Sequence, residues 1–258
     1  MLADIEVTVE DRIAVVRLNR PAERNAMTLA MWQDMARIFH ELGRDPDVRA
    51  IILTGAGANF SVGADVSEFA KVRSNVEESA DYEVAVDASS DAIAGAPKPV
   101  IAVIEGYCLG GGCHLSMACD FRFTHTDASI GIPAAKLSIV YGIRSTQRLL
   151  SLVGLTNAKR ILYSAERFGA AEAERIGFSD RVSNDPMSDA KAFAANIATL
   201  APLSVAGAKL ILTDLAMGDG ALDTKAAQSF IDRVSASEDY EEGRRAFAEK
   251  RPSVFKGR

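Results

Sequence analysis

The chain has 258 residues, of which 48% are hydrophobic and 25% are charged, and its formal net charge is −6. This balance is typical of a globular protein, and the length suits one large domain with a small appendage. The negative charge argues against nucleic acid as the main partner. The sequence shows neither a signal-like N-terminal segment nor an apolar run long enough to span a bilayer. We therefore expect a cytoplasmic protein that works without nucleic acid or membrane.

The first predicted elements are an N-terminal hairpin and a helix. Valine and isoleucine residues on both sides of Glu10–Arg12 predict the hairpin. Thr28 is expected to cap a helix whose apolar residues recur at helical spacing. Those residues, which we expect in the core, are Met31, Met35, Ile38, Phe39 and Leu42.

Two predicted strands each run into a glycine-rich loop. Ala50–Thr54 precedes the loop Gly55–Asp65, and Val100–Ile104 precedes Gly110–Gly112, after which a helix is expected to begin. Glycine allows the backbone to approach a bound group, and the first N–H groups of a helix have no internal acceptor. The two loops together could offer two N–H donors to one developing oxyanion. Each could equally be a simple strand-to-helix turn.

Two competing motifs fail at the first glycine loop. A dinucleotide-binding loop would have a glycine where Phe60 stands, and a nucleophile elbow would have one two residues before Ser61. The three cysteines, Cys108, Cys113 and Cys119, are odd in number and lack paired zinc spacing. We expect them to be small buried residues, and we expect no metal site.

The region between the two loops and the remainder of the chain are predicted to be mainly helical. Lys71–Ser90 is charged and rich in serine, which fits either a segment covering a pocket or a solvated surface helix. Shorter helices are expected at Thr156–Ala165 and at Ala170–Ile176, the latter ended by Gly177. Strands disappear after residue 185, and helices are expected at about 187–201, 203–217, 220–236 and 238–250. The pattern predicts a layered α/β core over 1–185 and a helical region over 186–258.

At this point the chain resembles the crotonase (enoyl-CoA hydratase/isomerase) superfamily over nearly its whole length. Each matching piece is short, but their order and spacing are specific. The pieces are Asn19–Pro21 with Asn25–Ala26, Phe60–Asp65, Lys98–Ala102, Gly106–Gly112, Thr146–Leu149, Ser237–Asp239 and Phe247–Pro252.

The resemblance implies a fold, a substrate class and several residue roles. The implied fold is an α/β, crotonase-like ββα spiral core with a helical C-terminal trimerisation region, assembled as a trimer or a dimer of trimers. By resemblance, the N–H groups of Ala64 and Gly111 form an oxyanion hole for an acyl-CoA thioester. Coenzyme A enters as part of the substrate, with Arg24, Lys250 and Lys256 as its expected contacts, and no separate cofactor is indicated.

The two glutamates of the family's hydratases are missing. Their positions hold His114 and Ala134, so hydration of the usual kind is doubtful. His114 lies in the first turn of a helix, where the dipole disfavours the imidazolium ion, and a neutral imidazole can still accept a proton. We take His114 and Tyr141 as the catalytic candidates. A structural histidine and a packed tyrosine are the alternatives.

Two further charged residues have open roles. Arg144 could bind a carboxylate on the acyl group, although pairing with a structural acid is favoured. Glu68 could reach the pocket or could face solvent.

Three functions stay open from the sequence. The first is an acyl-CoA lyase or isomerase of this superfamily, in fatty acid metabolism, whose reaction is not hydration by two glutamates. The second is a hydratase that uses His114 and an acid from elsewhere, such as Glu68. The third is a non-catalytic protein that binds CoA thioesters.

Overall fold

The computed structural model describes residues 3–217 and 223–258, and its centre is a six-stranded sheet. The strand order is β1-β2-β3-β4-β6-β9, and every pairing is parallel except that of β1 with β2. A smaller sheet has the order β5-β7-β8. The strands are β1 Ile5–Glu10, β2 Ile13–Leu18, β3 Ala50–Gly55, β4 Val100–Ile104, β5 Tyr107–Leu109, β6 Phe121–His125, β7 Ser129–Gly131, β8 Arg167–Gly169 and β9 Arg181–Ser183.

Helices cover both faces of the large sheet. They are α1 Leu29–Arg44, α2 Phe69–Val72, α3 Val76–Gly95, α4 Gly111–Ala118, α5 Ile143–Ser164, α6 Ala170–Arg175, α7 Pro186–Ala198, α8 Pro202–Met217, α9 Thr224–Ser235 and α10 Glu238–Glu249. Short 3-10 turns at 21–23, 66–68 and 133–137 join some of these elements.

The buried strands divide their side chains between two cores, as a period of two requires. In β3, Ile51 and Leu53 face the larger core, which also holds Trp32 and Phe39 of α1. Ile52 faces the smaller core, which α7 completes on the other side of the sheet. Burial on both faces explains why β3 and β4 are continuous apolar runs in the sequence.

The helical C-terminal region is attached to the core by a buried cation. The Lys209 ammonium of α8 donates to the Asp120 carboxylate at 2.8 Å and to the Lys98 carbonyl oxygen at 3.0 Å. The same Asp120 carboxylate accepts the Val100 N–H at the start of β4. One lysine therefore joins α8 to the chain on both sides of α4.

The N-terminal elements agree with the sequence predictions. The hairpin turns at Asp11 and Arg12, which both have positive φ, and its strands pair in antiparallel register. The Thr28 hydroxyl caps α1 by accepting the Met31 N–H at 3.2 Å. These two elements required only local signals, and both predictions are confirmed.

The later helices also follow the predictions, with two differences. The helix expected from Thr156 begins at Ile143 and continues through a break at Gly154, where φ is 72°. The helix expected from residue 220 is described from Thr224 onward, and residues 220–222 lie outside the described part of the chain. Within the described residues, no single helix meets the length and hydropathy criteria for crossing a membrane, although the bent pair α7–α8 meets them jointly.

Candidate active site

The two glycine-rich loops meet beyond the carboxyl ends of β3 and β4. The Leu109 N–H donates to the Ser61 carbonyl oxygen at 2.9 Å, which ties one loop to the other. A β-carbon at Gly63 would lie only 2.6 Å from the Gly111 nitrogen. This contact explains why glycine is needed at position 63, where φ is +91°.

The Ala64 and Gly111 N–H groups are both free to bind a ligand. Within residues 3–217 and 223–258, neither N–H donates a hydrogen bond to the protein. Gly111 is the first residue of α4, where an N–H has no partner inside the helix. Both residues line one cavity. Two unsatisfied donors on neighbouring loops form an arrangement that can hold a developing oxyanion.

The peptide that carries the Gly111 N–H is held from its other side. The carbonyl oxygen of this peptide belongs to Gly110. It accepts hydrogen bonds from the Tyr141 hydroxyl at 3.1 Å and from the backbone N–H of His114 at 3.1 Å. Hydrogen bonds to a carbonyl polarise the attached N–H and fix the plane of the peptide. Tyr141 therefore acts on the backbone of the glycine loop in this structure.

The cavity beside these amides has a volume of about 140 Å³ and mainly apolar walls. Two aromatic side chains extend along one side, where the Trp32 indole N–H donates to the Tyr82 hydroxyl at 2.8 Å. Burial raises the pKa of Tyr82 to about 12, so its hydroxyl stays protonated. The other apolar residues of the wall are Val62, Val66, Phe69, Val86, Ile132, Pro133, Ala134, Leu137, Ile139 and Val140.

His114 is buried at the cavity wall, and both of its ring nitrogens are occupied. Nε2 lies 3.3 Å from the Val86 carbonyl oxygen, which can only accept, so this nitrogen carries the proton. Nδ1 is hydrogen-bonded to the Ser145 hydroxyl. Burial lowers the pKa of His114 to about 4, and the positive charge of Arg148 adds to this effect. The imidazole is therefore neutral near pH 7.

A carboxylate and a cation that the sequence analysis did not single out also line the cavity. Glu83 of α3 pairs with Arg73 at 2.9 Å, and its side chain remains 46% exposed. Burial raises the pKa of Glu83, although Arg73 opposes this shift. The Arg73 guanidinium lies 5.0 Å from the ring centres of both Phe69 and Tyr82. The only signal for this pair was the charged segment Lys71–Ser90, which was considered as a cover for a pocket.

The two other charged candidates from the sequence lie outside this cavity. The Glu68 carboxylate accepts the Leu29 N–H at 3.0 Å and so caps α1. Arg144 pairs with Asp91 at 3.3 Å, in agreement with the favoured structural interpretation. Among the described residues lining the cavity, Glu83 is the carboxylate and Arg73 is the cation.

The three expected CoA contacts lie in different parts of the chain. Arg24 has a left-handed backbone, with φ of 53°, and its guanidinium lies 5.4 Å from the centre of the Tyr107 ring. Lys250 ends α10. Lys256 lines a different cavity, together with Arg49 and Lys98. Neither lysine lines the cavity that holds Ala64 and Gly111.

The described residues offer little for a metal ion. They contain no group of three or more His, Cys, Asp or Glu side chains arranged to hold one. All three cysteines are buried as free thiols, and the Cys108 and Cys113 sulfur atoms lie 3.9 Å apart.

Comparison with known proteins agrees with this arrangement. The family profile described as enoyl-CoA hydratase/isomerase matches residues 8–258. The chain is 34% identical over 255 residues to the short-chain-enoyl-CoA hydratase of Clostridium acetobutylicum, covering 97% of this chain and 96% of that protein.

Solved structures show the same similarity over the whole fold. The crystal structure of an enoyl-CoA hydratase/carnithine racemase from Magnetospirillum magneticum superposes with a TM-score of 0.94 at 32% identity, covering 100% of this chain and 97% of that one. The enoyl-CoA hydratase from Bacillus anthracis gives 0.90 at 31% identity, covering 99% and 100%. The crotonase-type α/β fold is thereby confirmed, and the chain belongs to the enoyl-CoA hydratase/isomerase family of the crotonase superfamily.

Proposed function

We propose that this protein is an enzyme that binds an acyl-CoA thioester and stabilises its enolate or oxyanion through the N–H groups of Ala64 and Gly111. The observation that carries this proposal is that both amides lack an acceptor in the described chain and line the same apolar cavity. Two such donors favour the state in which negative charge has moved onto the carbonyl oxygen. The names of the relatives, which are hydratases of enoyl-CoA, support a CoA thioester as the substrate.

Glu83 is the group we assign to proton transfer. Its carboxylate takes a proton from the carbon next to the thioester carbonyl, and the C–H electron pair moves through the new C=C bond onto the carbonyl oxygen. Return of the proton to the same carbon gives exchange, and its return to a carbon two positions further along an enoyl chain gives an isomerised double bond. A partly desolvated carboxylate with a raised pKa suits this role.

His114 and Tyr141 have supporting parts in this proposal. The neutral His114 imidazole is hydrogen-bonded to the Ser145 hydroxyl and the Val86 carbonyl oxygen at the wall of the pocket. The backbone N–H of His114 donates to the Gly110 carbonyl oxygen. The Tyr141 hydroxyl holds the same oxygen and thereby orients the Gly111 N–H. Arg24, and lysines 250 and 256 from a neighbouring subunit, are proposed to contact CoA.

A hydratase is the second candidate because Glu83 provides one acid in the pocket. In that case Glu83 would position the attacking water, and the pocket would need a second group to protonate the enolate. A binding protein without catalysis is the outcome expected if no proton transfer can be detected.

The test is proton exchange in deuterated water. Butyryl-CoA is incubated with the protein in D₂O, and the mass of the recovered thioester is followed over time. We expect deuterium to enter at the carbon next to the carbonyl and Glu83→Gln to suppress this exchange. Tight binding of butyryl-CoA without exchange would contradict catalysis and favour the binding protein. Rapid hydration of crotonyl-CoA would favour the hydratase.

We also propose that the protein is a trimer or a dimer of trimers. The helices after residue 185 expose large apolar side chains, notably Leu212 and Leu215 of α8 and Phe247 of α10. The sequence predicts an apolar stripe, formed by Ala221, Leu222, Ala226, Phe230 and Val234, that packs on the body of the protein or on a neighbour, and its first two members lie outside the described residues. Its member Phe230 packs against Gly207 of α8 in the same chain. Sedimentation at micromolar concentration should give three or six times the 27.5 kDa chain mass, and a stable monomer would contradict the proposal.

A further inference from the structure

A second cavity lies at the opposite end of the large sheet, beside the amino ends of β3 and β4. Its volume is about 220 Å³, and it is enclosed by the residues preceding β3 and β4, the α7–α8 connection, α9 and the C-terminal tail. Arg49 immediately precedes β3, whereas the glycine loops follow the carboxyl ends of β3 and β4. The six residues of β3 alone span roughly 20 Å at 3.3 Å per residue. Within one chain, this cavity is separate from the candidate active site.

The charged side chains that line this second cavity are all cationic. They are Arg49, Lys98, Arg233 and Lys256, and no carboxylate lines it within the described part of the chain. The remaining wall is mainly apolar and includes Ile197, Leu200, Pro202, Leu203 and Phe230. The site therefore combines concentrated positive charge with a surface suited to an apolar group.

Arg49 is the buried member of this set, with only 8% of its surface exposed. Its Nε–H is buried and has no acceptor among the described residues. One other guanidinium nitrogen makes a long contact of 3.4 Å to the Phe255 carbonyl oxygen. A buried donor of this kind is costly unless a ligand or water accepts its hydrogen bond.

The positive charge of Arg49 and Lys98 is only partly compensated by nearby acceptor groups. The Asp239 carboxylate attracts Arg49, but its oxygens already accept the N–H groups of Lys256 and Gly257 at 2.7 and 2.8 Å. The Lys98 ammonium donates to the backbone carbonyl of Asp45 at 3.2 Å. Burial and the charge of Arg49 both lower the pKa of Lys98. An anion placed between these cations would relieve their mutual repulsion.

We propose that this cavity is a binding site for a small phosphate ester with an apolar body, distinct from the acyl-CoA site of the same chain. The phosphate would accept hydrogen bonds from Arg49 and ion-pair with Lys98 and Arg233, whereas the apolar body would contact Phe230 and the leucines. Arginine suits this task because its planar fork of donors matches phosphate oxygens.

The experiment measures the binding of phenyl phosphate to the full-length protein by titration calorimetry. We expect saturable binding of one molecule per chain, weaker binding of inorganic phosphate, and no binding of phenol. Added salt should weaken the binding because it screens the attraction between charges. Absence of saturable binding to the natural protein would overturn the proposal.

The affinity of arginine variants for phenyl phosphate tests whether the ligand binds in this cavity. Arg49→Met should weaken binding at least tenfold, and Arg233→Met, at an exposed position on α9, should also weaken it without disturbing the core. The control is Arg37→Met, an exposed arginine of α1 that pairs with Asp34 and Glu41. Equal affinity in all three variants would overturn the assignment.

Competition with coenzyme A distinguishes two sources of the phosphate: a separate phosphate ester, or a CoA molecule held by a neighbouring copy of the chain. Saturating CoA should leave the binding of phenyl phosphate unchanged. Displacement by CoA but not by 3′-dephospho-CoA would show that the cavity receives the phosphate of a CoA held by a neighbouring copy, and a separate site would then be ruled out.

Discussion

The candidate active site has two walls, one of which presents backbone groups and the other side chains. The loop wall, formed by Ala64, Gly110 and Gly111, offers backbone N–H groups from residues with the smallest side chains. The helix wall, formed by Arg73, Tyr82, Glu83 and Val86, offers side chains from α3 and from the residue that follows α2. Under the proposed function, the backbone of the loop wall polarises the thioester carbonyl of any acyl group, and the helix wall carries the group that exchanges the proton.

This difference shows where changes of function can arise in the fold. The loop wall depends on contacts that tolerate no side chain, such as the approach of Gly63 to Gly111. We expect the helix wall to accept a change of functional group more readily, because it contributes side chains and not a close approach of two backbones. By the resemblance, His114 and Ala134 stand where the family's hydratases have two glutamates, while the loop wall is intact; the acid that we propose instead, Glu83, lies on a different helix.

The largest expected effect comes from the helix wall. Glu83→Gln removes the proton acceptor but keeps its shape, and general acid–base groups contribute roughly 10²–10⁴ in rate. The rate of deuterium exchange into butyryl-CoA should fall by that factor. Glu77→Gln, an exposed position on the same helix, is the matched control and should have no effect.

The pH profile of the same exchange sharpens this prediction. Glu83 must be ionised to accept a proton, so activity should be lost as the pH falls through its pKa. Since burial raises that pKa above its ordinary value, the loss should begin at a higher pH than for an exposed glutamate. Full activity of Glu83→Gln would place the base elsewhere.

The next effect concerns the loop wall. Gly111→Pro removes one of the two N–H donors, and loss of an oxyanion donor costs roughly 10²–10³ in rate. Gly111→Ala keeps the N–H but places a β-carbon 3.1 Å from the Trp32 ring, so it serves as the control for steric disturbance. We expect exchange to be much slower in the proline variant than in the alanine variant. Equal rates in folded proteins would mean that this amide takes no part.

The rate of crotonyl-CoA hydration tests whether the missing glutamates at positions 114 and 134 limit this reaction. The natural protein should hydrate crotonyl-CoA at least about a hundredfold more slowly than a family hydratase, since one missing acid–base group costs that much. The double variant His114→Glu with Ala134→Glu should raise this rate, measured by the loss of enoyl-thioester absorbance. The Ser145 hydroxyl could donate to a new carboxylate at 114, whereas the Val86 carbonyl oxygen would oppose it. Hydration by the natural protein at an ordinary family rate would refute this interpretation.

The smallest expected effect comes from loss of the Tyr141 hydrogen bond, which supports the backbone of the loop wall. Tyr141→Phe removes one of two hydrogen bonds to the Gly110 carbonyl oxygen, and a single hydrogen bond contributes about 1 kcal/mol. We expect roughly a fivefold fall in kcat, which corresponds to about 1 kcal/mol, with little change in KM. A larger loss, comparable with that of Gly111→Pro, would indicate that the hydroxyl contacts the reacting atoms directly.

The position of the loop wall could be predicted from the sequence because its signals are local. Glycines after two buried strands indicate close backbone approach, and the resemblance named Ala64 and Gly111. The helix wall was not predictable in the same way. Glu83 lies in an ordinary charged segment, and only the packing of α3 against α1, with Tyr82 on Trp32, brings it to the cavity. Its role depends on long-range contacts that no periodicity or motif encodes.

The buried Lys209 has a consequence for the order of folding. Its partners, Asp120 and the carbonyl groups of Lys98 and Ile93, lie 89 to 116 residues earlier in the chain. They come together only after β4 and α4 are in place, and contacts between distant residues form slowly. Docking of α8 should therefore be a late event that depends on a preformed sheet. Until α8 docks, the Asp120 carboxylate lacks the Lys209 cation that pairs with it in the finished fold.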